Sequence, residues 1–161
     1  MKRKVKAGLI GFGTVGAGVA RLLFGAEKPF LRGRNFELEL SKIADLDITR
    51  DRGVAIPEGV LTTDANVILN DPSIDIVIEL IGGYEPARSF TLRAFERGKS
   101  VVTANKALIA LHGTELFNAA LAADASYMFE ASVGGGIPII RSITDGLNAN
   151  SVQSIYGILN G

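Results

Sequence analysis

The chain contains no cysteine and no tryptophan, and it has a single histidine among 161 residues. The absence of cysteine excludes disulfide bonds and metal sites built on thiolates, and it is compatible with a reducing compartment. The 17 basic and 17 acidic residues cancel, and Lys and Arg form no long run, so the charge indicates no nucleic-acid partner. No stretch of about 18 consecutive apolar residues occurs, so we expect no membrane span and a cytoplasmic location.

The N-terminus superficially resembles a secretory signal. Lys2-Arg3-Lys4 is followed by an uncharged stretch from Ala7 to Ala20, as a charged region precedes an apolar one in signal peptides. Five residues of that stretch are glycine, however, and glycine disfavours the helix that such an apolar region forms. The glycine spacing fits a different motif.

That motif is Gly11-Phe12-Gly13-Thr14-Val15-Gly16, between a predicted buried strand over 5–10 and a predicted helix. In a dinucleotide-binding turn, Gly11 allows the tight bend, Gly13 lets a pyrophosphate approach the backbone, and Gly16 lets the helix lie close to the strand. The N–H groups at the start of the helix then face the phosphates. The helix has an apolar stripe of Val15, Val19, Leu22 and Leu23. We predict dinucleotide binding, with an ordinary strand-to-helix turn as the alternative.

Asp45 is the candidate ligand of the adenosine ribose. It follows a strand predicted over 36–44, where dinucleotide-binding folds place a carboxylate for the ribose hydroxyls. A loop over 25–35 accounts for its long separation from the glycine motif. A carboxylate there repels a 2′-phosphate and favours NAD over NADP, although Lys42 and Arg50 lie close enough to weaken that preference. A solvated turn residue is the alternative role for Asp45.

Two later strand ends are predicted to line the same crevice. Ile81-Gly82-Gly83 ends a β-branched strand over 74–81, and Thr103 ends a strand over 100–103. Ligands bind at the carboxyl ends of strands in such sheets, with a generic turn as the alternative for the glycine pair. Lys106 follows, and an ammonium in a dry crevice polarises a carbonyl or holds a substrate charge; a surface lysine is the alternative. Two roles stay open for Glu79: it is either a buried paired acid or a polar group at the rim.

Together these features predict one doubly wound α/β domain with a parallel sheet, the Rossmann dinucleotide-binding fold, over residues 1–150. The chain is long enough for a full core, and 47% of it is hydrophobic. Four more helices are predicted before residue 124: a short one capped by Thr63-Asp64 and ending near Leu69, one from Pro86 to Arg97 ended by Gly98, and two over 105–112 and 115–123 separated at Gly113. A strand over 126–130 follows, and then a helix from the second glycine-rich stretch through Leu147. The last predicted element is a strand over 152–159.

Three stretches resemble homoserine dehydrogenase when taken together. They are GFGTVG after the first strand, VVTANKALIALHG over 101–113, and EASVGGGIPII over 130–140 before GILNG. The resemblance covers essentially the whole chain. It implies reversible interconversion of L-homoserine and L-aspartate 4-semialdehyde with NAD or NADP, in the biosynthesis of threonine, methionine and isoleucine.

The resemblance also implies a role for each matching residue. Gly11, Gly13, Thr14, Val15 and Gly16 would line the pyrophosphate. Gly82 and Gly83 would lie towards the nicotinamide, and Lys106 would face the reacting carbon. A sodium ion would be held mostly by backbone oxygens of Glu130, Val133, Gly135 and Ile137, which suits a weakly bound monovalent ion.

The chain departs from the family at two places. Many members carry an arginine where this chain has Ala44, which strengthens the preference for NAD. The family's substrate-binding and dimerisation domain would follow, so residues 151–161 are expected to be its first strand. We expect the chain to bind cofactor without complete catalysis, and the full-length protein to be a homodimer or homotetramer. The alternatives are a stand-alone NAD-binding or sensor module and a dehydrogenase of similar fold that acts on another small aldehyde or amino acid.

Overall fold

The structure, a computed structural model, describes residues 2–157 and contains one six-stranded sheet. The order is β3-β2-β1-β4-β5-β6, and every neighbouring pair is parallel. The strands are β1 (Arg3–Ile10), β2 (Phe36–Ala44), β3 (Leu61–Thr62), β4 (Ile76–Glu79), β5 (Ser100–Thr103) and β6 (Tyr127–Met128). The predicted doubly wound α/β fold is confirmed, since helices connect the parallel strands and pack on both faces.

Among residues 2–157, four helices precede the last strand, and a short fifth one follows it. They are α1 (Thr14–Phe24), α2 (Asn66–Leu69), α3 (Ala87–Glu96), α4 (Lys106–Ala122) and α5 (Ile139–Arg141), with single turns at Pro29–Leu31, Glu130–Ser132 and Ser142–Gly146. In the part of the chain that the structure describes, no helix is long and apolar enough to cross a membrane.

The two faces of the sheet carry separate apolar cores. Ala7 and Leu9 of β1 pack against α1, whereas Ile10 packs in the core formed with α2, α3 and α4. This alternation follows from the two-residue period of a strand. Gly8 faces α2, and a Cβ there would overlap the side chain of Ile68. Because Gly8 has no side chain, α2 can pack closely on this face of the sheet.

The predicted apolar stripe of α1 is partly wrong. Val15 and Leu22 are 59% and 64% exposed, and the buried residues are Gly16, Ala17, Ala20 and Leu23. The helix lies so close to β1 that a Cβ on Gly16 would overlap the carbonyl oxygen of Gly11. Small residues therefore face the sheet, and the larger apolar ones lie outside the contact.

Two other predicted elements differ from the structure. The helix over 105–123 is continuous, because Gly113 is buried inside α4 and does not end it. Residues 152–157 form no strand and are exposed, since nothing in the described part of the chain pairs with them. Residues 158 and 159 of that predicted strand lie outside the described residues. The division at residue 150 stays a prediction.

Candidate functional site

The loops after the strands meet along the carboxyl edge of the sheet. The chain proceeds outward in opposite directions from β1 and β4, which are neighbours in the centre. This is the topological switch point, where open α/β sheets bind their ligands. The loops that follow β1, β2, β4, β5 and β6 all lie at this edge.

The glycine turn after β1 has the geometry that its spacing predicts. Gly11 has a φ of +101°, and its N–H donates to the carbonyl of Ala44 at 2.8 Å. A Cβ on Gly11 would lie 2.6 Å from the carbonyl carbon of Leu80, so the turn lies directly against the loop after β4. At Gly13, by contrast, a Cβ would meet nothing within 4 Å. Gly13 therefore offers an open backbone surface at the start of α1.

Thr14 and Val15 form the first turn of α1 and are exposed at this edge. The first N–H groups of a helix have no acceptor within the helix. With the partial positive charge of the helix N-terminus, they favour an anion beside Gly13. The structure thus brings the predicted pyrophosphate residues together.

Asp45 lies at the end of β2 and binds the glycine turn. Its Oδ2 accepts from the N–H of Phe12 at 2.6 Å, and its Oδ1 accepts from the N–H of Asp47 at 2.9 Å. The Arg52 guanidinium lies 3.4 Å from Oδ1, and both side chains are largely buried, with exposures of 18% for Asp45 and 12% for Arg52. A carboxylate offers about four lone-pair sites, so Asp45 can still accept from a ligand hydroxyl.

Sequence reasoning missed an arginine-rich pocket beside this carboxylate. A cavity of about 430 Å³ is lined by Gly13, Thr14, Ala17, Arg21, Arg50, Asp51 and Arg52. The Arg52 guanidinium also lies 5.3 Å from the centre of the Phe12 ring, and its Nε donates to the Phe12 carbonyl. The sequence signals are the Arg50-Asp51-Arg52 triplet and Arg21, seven residues after Thr14 and so on the same face of α1.

A second cavity, of about 380 Å³, lies on the other side of Asp45 and is mostly apolar. Its apolar walls are Ile10, Ala44, Leu46, Ala65, Ile81, Pro86 and Phe90, and Asp45, Thr63, Asp64 and Gly82 complete it. The structure therefore places Ile81 and Gly82 in the same cavity as Asp45. Gly83 lies further along, where its carbonyl accepts from the Asn105 side chain at 2.7 Å.

Thr103 and Lys106 lie at the end of β5 in different environments. Thr103 is 1% exposed, and its hydroxyl donates to the Glu79 carboxylate at 2.7 Å. Lys106 is the exposed first residue of α4, and the side chain of Asn105 caps that helix. A cation at a helix N-terminus opposes the helix dipole. The position of Lys106 therefore has no evident structural benefit.

The four residues predicted to hold sodium lie in one loop after β6. Gly135 has a φ of +60°, and the backbone carbonyl of Glu130 accepts from the N–H of Val133 at 3.2 Å. The Glu130 side chain points to α5 instead, where it accepts from the N–H groups of Ile140 and Arg141 at 3.0 and 2.9 Å. The Ile137 carbonyl accepts from the N–H of Ile139 at 2.8 Å. The carbonyls of Glu130 and Ile137 thus already accept backbone hydrogen bonds, and within residues 2–157 no three Asp, Glu or His side chains cluster as a metal site.

Comparison with known proteins places this geometry in a family. A family model described as "Homoserine dehydrogenase, NAD binding domain" matches residues 11–130. The homoserine dehydrogenase of Synechocystis sp. is 45% identical over 159 residues, which are 98% of this chain and 36% of that protein. The Bacillus subtilis homoserine dehydrogenase is 37% identical over 99% of this chain and 37% of its own length.

A solved structure agrees with the sequence relatives. The homoserine dehydrogenase of Thiobacillus denitrificans superposes with a TM-score of 0.83 at 43% identity, covering 92% of this chain and 34% of that one. The chain thus spans about a third of the length of the relatives that it matches. The resemblance inferred from the three sequence motifs is confirmed, and the chain belongs to the homoserine dehydrogenase family, whose NAD-binding domain it matches.

Proposed function

We propose that this chain binds a nicotinamide dinucleotide along the carboxyl edge of its sheet, and that the whole protein interconverts L-homoserine and L-aspartate 4-semialdehyde. The observation that carries the proposal is the turn at Gly11, fixed between Ala44 and Leu80, with the open backbone of Gly13 at the start of α1. A pyrophosphate fits there because it needs N–H donors and the absence of a side chain.

The adenosine half is assigned to the Asp45 side of the crevice. The apolar cavity with Leu46, Ala65 and Phe90 provides flat apolar contact for an adenine ring. Asp45 lines this cavity and is paired with Arg52 of the arginine pocket, so we assign the ribose hydroxyls to its remaining acceptor site.

The arginine pocket supports NADP(H), which reverses the preference for NAD suggested by Asp45 and Ala44. The repulsion between Asp45 and a 2′-phosphate is offset by Arg52, which lies 3.4 Å from the carboxylate. Arg21 and Arg50 add two exposed guanidinium groups to the same cavity. Because guanidinium groups bind phosphate through paired hydrogen bonds, we expect the 2′-phosphate to increase affinity.

The nicotinamide half is assigned to Gly83 and the loop after β5, beyond Ile81 and Gly82, which line the apolar cavity, with Lys106 beside the substrate. A bound nicotinamide supplies the hydride acceptor for the alcohol and the hydride donor for the aldehyde. The Lys106 ammonium, exposed at the N-terminus of α4, orients or polarises the reacting oxygen. The helix N-terminus strengthens this effect because its partial positive charge acts on the same oxygen.

Three further assignments rest on membership of the family. We propose a sodium ion held mostly by backbone oxygens of Glu130, Val133, Gly135 and Ile137, which lie in one loop after β6. We also propose a cytoplasmic location, and assembly of the whole protein as a homodimer or homotetramer. The proposed substrates, L-homoserine and L-aspartate 4-semialdehyde, are both small molecules.

Thermal unfolding of the chain with NAD, NADH, NADP or NADPH tests the proposal. A ligand at about 100 times its dissociation constant stabilises the fold by about 2.7 kcal/mol, which shifts the midpoint measurably. We expect a shift with every dinucleotide and a larger one with the phosphorylated pair. A larger shift with NAD(H) would restore the preference for NAD, and the absence of any shift would contradict dinucleotide binding.

A further inference from the structure

Glu79 is a fully buried carboxylate at the end of β4, and its two hydrogen-bond partners are uncharged. It is 0% exposed. Its Oε1 accepts from the N–H of Ile81 at 2.8 Å, and its Oε2 accepts from the Thr103 hydroxyl at 2.7 Å. Burying a carboxylate without a cation costs free energy that an apolar side chain of similar size avoids. Its presence at the ligand edge of the sheet therefore calls for a role other than packing.

Thr103 also forms a hydrogen bond with Asn105, which extends the network. The Thr103 oxygen accepts from the N–H of Asn105 at 3.0 Å. The Asn105 side chain then accepts from the N–H of Leu108 at 3.1 Å and donates to the carbonyl of Gly83 at 2.7 Å. The hydrogen bonds thus link the loop after β4 to the loop after β5 and to the first turn of α4.

The direction of these bonds depends on the carboxylate. A hydroxyl has one proton, and the Thr103 oxygen is already an acceptor for Asn105. The Thr103 proton therefore goes to Glu79, which must accept on both oxygens at once. A glutamine at position 79 still accepts from Ile81, but its amide group would face Thr103 as a second donor. The Thr103 proton would then lose its acceptor.

We propose that Glu79 is a positioning residue that acts through Thr103 and Asn105 to fix the nicotinamide end of the crevice and the start of α4, where Lys106 lies. The inference rests on the proposed function. Ser132 extends the set to the loop after β6, because its hydroxyl donates to the Thr103 carbonyl at 3.2 Å. One buried carboxylate therefore organises three loops of the nicotinamide half, whereas Asp45 organises the adenosine half.

Binding of NADH and of ADP-ribose separates this role from general stability, because ADP-ribose lacks only the nicotinamide ring. We would measure both dissociation constants by calorimetric titration for wild type, Glu79→Gln, Thr103→Val and Thr103→Ser. We expect Glu79→Gln and Thr103→Val to weaken NADH binding about tenfold, because binding must then order the loops that the lost hydrogen bond held in place. Affinity for ADP-ribose should stay within about twofold, and Thr103→Ser, which keeps the hydroxyl, should bind NADH like wild type.

Thr91 provides the matched control. It is also a buried threonine, 1% exposed, but its hydroxyl has no partner among the described residues. Thr91→Val therefore makes the same substitution outside the hydrogen-bonded set and should leave both dissociation constants unchanged. All titrations are run well below each variant's unfolding midpoint, so that a less stable variant is still folded.

The remaining outcomes decide against the proposal. Unchanged NADH affinity in Glu79→Gln and Thr103→Val, or an equal loss for NADH and ADP-ribose, would overturn the positioning role while leaving dinucleotide binding intact. If wild type binds neither ligand, the proposed function fails, and the inference fails with it.

Discussion

The N–H of Phe12 donates a hydrogen bond of 2.6 Å to the carboxylate of Asp45. The residue assigned to the ribose thus also holds the glycine turn in place. Arg52 contacts both partners, since it donates to the Phe12 carbonyl and lies 3.4 Å from the Asp45 carboxylate. If Asp45 binds the ribose as proposed, its substitution changes ligand affinity and local stability together.

Asp45→Ala should lower stability as well as affinity. The substitution leaves the Phe12 N–H without its acceptor and the largely buried Arg52 without its anion, so we expect a loss of roughly 1–3 kcal/mol in the free energy of unfolding. Urea denaturation without ligand measures it. Asp45→Asn, which keeps one acceptor oxygen, should lose less. A change below about 0.5 kcal/mol in Asp45→Ala, the usual range for surface substitutions, would contradict the coupling.

Arg50→Ala should weaken NADPH selectively. The Arg50 side chain is exposed and lines the pocket beside the glycine turn. Loss of a charge-assisted hydrogen bond to a phosphate costs roughly 1.5–3 kcal/mol, which is at least about tenfold in the dissociation constant for NADPH. The dissociation constant for NADH should not change. Arg34→Ala, an exposed arginine outside the pocket, is the control, and an equal loss for both dinucleotides would argue against a 2′-phosphate site.

Gly13→Val should abolish the stabilisation by dinucleotides while the protein still folds. Gly13 has a φ of −70°, and a Cβ there meets no atom within 4 Å. The added side chain therefore projects into the space assigned to the pyrophosphate, and stability should fall by no more than about 1 kcal/mol, the cost of a poor helix N-cap. Thermal unfolding with and without NADPH measures both effects. Gly18→Ala, at an equally open position in α1, should keep the full ligand-induced shift.

Acid should remove the stabilising effect of Arg88. Its Nε donates to Glu115 at 2.7 Å and its Nη1 to Glu85 at 3.3 Å, which joins α3 to α4. The hydrogen bond from Arg88 lowers the pKa of Glu115 below its ordinary value of 4.5. The hydrogen bond from the Ser89 hydroxyl, with a smaller effect of Arg88, lowers the pKa of Glu85 below 4.5 as well. A lowered carboxyl pKa stabilises the folded state above the unfolded-state value and loses that effect as the pH falls through the folded-state value.

The stability difference between wild type and Arg88→Ala should therefore be present at pH 7 and shrink as the pH falls below about 4.5, the unfolded value for glutamate. Because the pair is on the surface, added salt should reduce the difference at pH 7. Unfolding midpoints measured from pH 7 to pH 3 give the comparison. A difference that grows towards low pH would contradict the assignment.

Features fixed by one residue and its immediate neighbours were predicted well from the sequence. The turn at Gly11, the strand over 36–44 and the end of α3 at Gly98 follow from local backbone geometry and the two-residue strand period. The position of Lys106 shortly after the strand over 100–103 was also predicted correctly.

Features that depend on distant contacts were not predicted. Arg52 contacts Phe12 across 40 residues of sequence, and Glu79 hydrogen-bonds to Thr103 of the neighbouring strand, 24 residues later. The exposure of Val15 depends on how closely α1 approaches β1, which hydrophobicity alone does not encode. For the same reason the sequence could not show that Thr103 is buried behind the crevice.

Gly8 lies outside the glycine motif, yet it bears on ligand size. Because it has no side chain, α2 packs directly on β1 through Ile68. Residues 64 and 65, which precede α2, form one wall of the apolar cavity beside Asp45. A larger residue at position 8 would displace α2 and that wall outward. The width of the cavity that we assign to the adenine ring therefore depends on the absence of a Cβ atom at position 8, in the middle of β1.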